Sequence, residues 1–97
     1  MKYSFHPLAS KELNEAIDYY NGCQDNLGIE FASEVYTAIQ LILQFPKAWS
    51  PLSKNTRRCL TNRFPYGIIY QEEKDEIIII AIMQLNKEPK YWHGRIK

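Results

Sequence analysis

The side chains best suited to chemistry lie in the second half of the chain: Arg57, Arg58 and Arg63, then Lys87, Lys90, Tyr91, Trp92, Arg95 and Lys97. Arginine offers a planar fork of donors that fits phosphate oxygens and carboxylates equally well. Arg57, Cys59, Thr61 and Arg63 alternate with Arg58, Leu60, Asn62 and Phe64, the two-residue period of a half-exposed strand. In such a strand Arg57 and Arg63 share one face and Arg58 takes the other. Charges there either meet an anionic partner or discourage edge-to-edge aggregation, and the pattern alone leaves both open. Tyr91 and Trp92, set among basic residues, could stack on a nucleobase. We favour the other use of such a pair, pinning the tail onto the core.

Other chemistries lack their motifs. There is no GxGxxG, P-loop, CxxC, HExxH or nucleophile elbow. Glu12, Glu15 and Asp18 fall at helical spacing away from an apolar stripe, which reads as a solvated surface rather than a carboxylate pair. Cys23 and Cys59 are far apart and isolated from His6 and His93, so we expect free thiols, no metal and no cofactor. Charge is uneven. Residues 1–46 carry two basic and six acidic side chains, net −4, whereas residues 47–97 carry ten basic and five acidic, net +5. Either the second half meets something anionic or the halves pair with each other.

Periodicity places the helices and strands that carry these side chains. At 97 residues we expect one domain, 1–97. Lys2 to Phe5 suits a short strand, and Pro7 the first turn of a helix. Ala9, Leu13, Ala16, Ile17 and Tyr20 then recur at helical spacing, with Asn21-Gly22 as the expected stop. After a polar turn from Cys23 to Gly28, Phe31, Val35, Ala38, Ile39 and Ile42 predict a second helix ending at Phe45, before Pro46. Residues 46–55 read as a loop. Strands follow from Thr56, over Tyr66 to Gln71, and over Glu76 to Leu85, the last apolar enough for burial on both faces. The fold class is therefore α+β, ordered β-α-α-β-β-β, with a helical hairpin packed on one face of a mainly antiparallel sheet. The opposite face, carrying several arginines, is expected to stay open. No apolar run is long enough to span a membrane and no leader segment is evident, so we expect a cytoplasmic protein.

The stretches HPLASKELNEAIDYY, LGIEFASEVYTAI, RFPYGIIY and PKYWHGR, in this order and spacing, resemble the successive segments of RelE/ParE toxins. The resemblance implies the same β-α-α-β-β-β fold and a cognate antitoxin protein as partner; self-association stays open. It also implies one of two activities. The ParE-like branch poisons DNA gyrase by binding, whereas the RelE-like branch cleaves mRNA on the ribosome. Metal-free cleavage needs a base, an acid and cations for the phosphorane charge, and here Arg57 or Arg63 with Tyr91 would supply them. Many relatives end the last strand on histidine, in a pattern similar to H-x-x-R-x-P-x-Y-W-x-x-R. This chain matches it at Pro89, Tyr91, Trp92 and Arg95, but has Gln84 for the histidine and Lys87 for the arginine. Glutamine cannot shuttle protons, and His93 stands at another position. The expectation is a ParE-like toxin that binds through Arg58, Arg63, Lys87, Lys90, Tyr91, Trp92 and Arg95. A ribonuclease is the alternative, and a toxin retained only to bind its antitoxin is a third reading.

Overall fold

The computed structural model describes residues 1–96; Lys97, counted above with the basic tail, lies outside the described residues. The chain runs β1 (Lys2–Phe5), α1 (Pro7–Cys23), α2 (Leu27–Gln44), β2 (Ser50–Pro51), β3 (Thr56–Leu60), β4 (Tyr66–Glu72) and β5 (Glu76–Gln84), then a single 3-10 turn at His93–Arg95. The strands form one sheet in the order β1-β5-β4-β3-β2. β1 lies parallel to β5, and the other pairs are antiparallel. No helix among the described residues is long and apolar enough to cross a membrane.

Local chemistry sets the helix ends. Pro7 opens α1 as expected, and the His6 side chain caps it by accepting the Leu8 N–H at Nδ1, 3.1 Å. Gly22 does not stop the helix. α1 continues to Cys23, and the left-handed residue is Asn26, at φ 67°, just before α2. Asparagine is among the few residues other than glycine that adopt that conformation readily. Gly28 lies inside α2, where its N–H donates to Asn21 Oδ1 at 2.8 Å. A β-carbon there would collide with the Ile17 carbonyl oxygen, so this glycine sets how closely the two helices approach.

The main core lies between helices and sheet. Leu13, Ala16, Phe31, Val35, Ile39 and Ile42 pack on Ile68, Tyr70, Ile77, Ile79 and Ile82. Phe31 sits in an aromatic cluster with Tyr20, Phe64 and Tyr66. A second, smaller core occupies the opposite face, where Trp92 covers Ile69, Ile78, Ile80, Ala81 and Met83 with Tyr91 and Ile96 beside it. The tail covers part of that face, against the expectation that it stays open. The reason is the burial of β5 on both faces, which demands an apolar cover that the two helices cannot supply.

Two details of the sheet differ from the periodicity. The loop before β3 contributes the short edge strand β2, which pairs with Arg57 and Arg58. β3 ends at Leu60 rather than running on to Phe64. Thr61 turns the chain, its Oγ1 donating to the carbonyls of Phe64 at 2.7 Å and Tyr66 at 3.1 Å. Arg63 therefore leaves the sheet and does not share a strand face with Arg57.

Candidate functional site

The expected site residues fall into four places. The first is built around one carboxylate on α1. β5 carries an extra residue opposite β4, since Ile69 pairs with Ala81 and Tyr70 with Ile79. This bulge turns the Ile80 carbonyl and the Ile82 N–H toward an edge that β1, ending at Phe5 beside Ile79, no longer covers. Side chains fill the gap. Glu12 Oε1 accepts the Ile82 N–H at 3.0 Å, and Arg95 Nη1 donates to the Ile80 carbonyl at 3.1 Å. The two side chains also form a bidentate pair, at 2.9 and 3.1 Å. The Tyr91 hydroxyl donates to Glu12 Oε2 at 2.8 Å. One carboxylate thus takes four donors and fixes the tail to the sheet.

Above this pair opens a cleft of about 360 Å³, lined by Glu12, Glu15, Ala16, Tyr19, Tyr20, Tyr66, Ile82, Gln84, Lys87 and Tyr91. It gathers Lys87 and Tyr91 from the expected site residues, with Gln84 beside them. The Tyr91 ring lies beneath two cations, with the Lys87 ammonium 5.3 Å and the Arg95 guanidinium 5.0 Å from its centroid. Burial and the bonded Glu12 carboxylate push the Tyr91 hydroxyl well above the usual tyrosine range. That hydroxyl is held protonated, as a donor to Glu12. His93 does not line the cleft; it is exposed, with its ring 4.6 Å from that of Trp92. Lys90 is exposed on the tail.

Arg57 is elsewhere, in a polar recess with Lys47, Lys54, Asn55, Glu72, Glu73 and Lys74. It donates to the Trp49 carbonyl at 2.8 Å, holding the loop before β2. Arg63 is in a third place, bridging to α2. It pairs with Glu30 at 2.8 Å and Glu34 at 3.3 Å, and both bonds raise its already high pKa. Glu34 also accepts the backbone N–H groups of Asn62 and Arg63, so it holds the whole turn. Arg57, Arg63 and Tyr91 thus line three recesses with no residue in common. Much of the charge asymmetry resolves within the molecule, because Arg63 and Arg95 from the basic half neutralise carboxylates of the acidic half.

Arg58 occupies the fourth place, on the face covered in part by the tail. Its methylene stem lies over Gly67, with Cγ and Cδ each 3.2 Å from where a β-carbon would stand. Among the described residues no acceptor bonds its guanidinium. Trp92 is buried, and its indole N–H finds no acceptor among the described residues. Both cysteines are free, Cys23 exposed and Cys59 buried. The described residues hold no cluster of three or more histidine, cysteine or acidic side chains with metal-ligand geometry.

Glu12 is the residue that sequence reasoning misassigned. Its helical spacing marked it as solvated surface, but its side chain faces the sheet, where it accepts the Ile82 N–H. The signal that could have found it is Arg95, a conspicuous cation in an otherwise packing-rich segment that needs a counter-charge.

No curated protein matches in sequence. Among solved structures, "Chromosomal ParDE TA system from P. aeruginosa" superposes with a TM-score of 0.77 at 14% sequence identity, covering 89% of this chain and 97% of that one. At that identity the likeness speaks for the fold alone. A family model described as "ParE toxin of type II toxin-antitoxin system, parDE" matches residues 3–87, from β1 through the last strand and the turn after it. With the family match spanning nearly every element of the fold, the chain belongs to the ParE toxin family of type II toxin–antitoxin systems.

Proposed function

We propose that this toxin arrests growth by binding DNA gyrase rather than by cutting RNA, and that a cognate antitoxin neutralises it. The observation that carries this reading is the dispersal of the candidate catalytic groups. RNA cleavage without a metal needs a base, an acid and a cation converging on one phosphate. Here Arg57, Arg63 and Tyr91 line separate recesses, each engaged within the protein. Position 84, where a proton shuttle would stand, is glutamine. Surfaces suited to binding remain: Lys87 and Lys90 are exposed along the tail, and Arg58 has no acceptor among the described residues.

The test uses purified protein in two assays, gyrase-dependent supercoiling and mRNA cleavage on stalled ribosomes. Inhibition in the first with intact mRNA in the second is the expected outcome. Neutralising Lys87 and Lys90 together should weaken the inhibition without unfolding the chain, since exposed substitutions cost little stability. Codon-positioned mRNA cuts that vanish in Tyr91→Phe would overturn the reading in favour of a ribonuclease.

A further inference from the structure

We propose that Arg58, flanked by Leu60 and Leu85, is a preformed docking point for an acidic, amphipathic segment of a protein partner, and that the segment belongs to the antitoxin. The proposal rests on the antitoxin-neutralised reading above and names the patch on which neutralisation depends. Three features of the second sheet face meet there.

The first is the free guanidinium. The other three arginines all have acceptors: backbone carbonyls for Arg57, carboxylates for Arg63 and Arg95. Arg58 is half-buried yet has none among the described residues. A cation held against a surface and left without a counter-ion is poised to gain one from outside. A carboxylate is the counter-ion that fits its fork bidentately.

The second is its rigidity. Gly67 faces Leu60 across the strands, and its missing side chain is replaced by the Arg58 stem on one side and a Leu85 methyl, at 3.5 Å, on the other. Gly67 is buried beneath them. The stem is thus packed before any partner arrives, so little side-chain freedom remains to be lost on binding.

The third is the apolar flank. Leu60 is 52% exposed and Leu85 40% exposed, on the sheet face where Trp92 covers Ile69, Ile78, Ile80, Ala81 and Met83. Leu60 and Leu85 stand on either side of Gly67. Adjacent strands are about 4.8 Å apart, so two leucines and one arginine fall within the reach of a single helical turn or a few extended residues. One apolar anchor with a carboxylate a turn away would satisfy all three groups. A nucleic acid would leave the leucines unused, and a second copy of this chain would have to bring its acidic helix face to the patch.

The test uses the full chain and its co-encoded antitoxin, purified together and separately, with affinity measured by calorimetry at several salt concentrations. Arg58→Gln keeps most of the stem and removes the charge; Leu60→Ser removes one anchor. Each should weaken binding about tenfold or more, and Arg58→Gln should flatten the salt dependence. Lys54→Glu, in the recess around Arg57, should leave the affinity unchanged. Equal thermal midpoints for the variants and the parent exclude unfolding as the cause. An antitoxin that binds the parent and the Arg58 and Leu60 variants alike would overturn this proposal while leaving neutralisation intact. An unmodified chain that binds no antitoxin would overturn both. Dimerisation of the isolated chain that is lost in Leu60→Ser would overturn it in favour of a second copy.

Discussion

Replacing Glu12 tests whether one ion pair holds the tail to the sheet. Glu12→Ala removes the acceptor of four hydrogen bonds and strands three donors at once. The Arg95 side chain is only 11% exposed and Glu12 18%, so solvent does little to replace the lost partner. Breaking a buried pair on one side typically costs about 3–5 kcal/mol, because the remaining charge is left uncompensated. The Ile82 N–H and Tyr91 hydroxyl would each add about 1–3 kcal/mol if no water reached them. Water at the rim of the cleft relieves part of both, so we expect about 3–5 kcal/mol in total. For a domain of this size that lowers the thermal midpoint by roughly 15–30 °C. Urea denaturation of Glu12→Ala, Arg95→Ala and the double variant would give the coupling between them, expected at about 2 kcal/mol or more. In parallel, Trp92 fluorescence should shift to the red as the tail loosens. A Glu12→Ala cost below about 1 kcal/mol, or a coupling below about 0.5 kcal/mol, would show that the pair is ornamental and that Trp92 packing alone holds the tail.

Three further outcomes follow from the same geometry. Gly28→Ala should destabilise the chain by about 2 kcal/mol or more in urea, although alanine favours helices, because its methyl meets the Ile17 carbonyl. Glu34→Ala should cost more than Arg63→Ala by about 1 kcal/mol in the same assay. The arginine is an exposed ion-pair member, whereas the carboxylate also holds two backbone N–H groups of the turn. Burial pushes the Cys59 thiol up to about 11 and the Tyr70 hydroxyl up to about 12. Both folded values lie above the unfolded ones, so their contribution is complete below about pH 9 and is lost as pH rises toward 12. The thermal midpoint should fall over that range, and Cys59→Ala should flatten its lower part, between about pH 9 and 11.

Periodicity carried the fold well where a single face was at stake. The stripes from Ala9 to Tyr20 and from Phe31 to Ile42 place both helices, and the alternation after Thr56 finds β3. It failed where a local bond overrode the pattern. Arg63 continues the alternation on paper, but the Thr61 hydroxyl bonds follow a strand that ends at Leu60, two residues after Arg58. That change moves Arg63 from the sheet to α2, and with it any shared site with Arg57. The parallel partner of β1 was also out of reach, since nothing in Lys2–Phe5 distinguishes the edge it joins. The pinning of the tail by Trp92 was legible because an aromatic in a basic segment needs an apolar seat. Its seat was not, because β5 shows burial on both faces without saying what covers the second. The roles of Glu12 and Gly28 depend on residues 83 and 11 positions away, and no local window contains both members of either pair.

The ion pair at the end of β5 also bears on how the chain behaves among its own copies. An exposed strand edge is a template on which another chain can build, and β5, with its run of isoleucines, would be the most hazardous template in the molecule. Between Ile80 and Ile82 the free carbonyl and N–H are already taken by Arg95 and Glu12, two charged side chains that a second β-strand would have to displace and strip of water. A glutamate and an arginine thus do for this stretch of β5 what a longer β1 would have done, and leave it no open backbone on which a second copy could build.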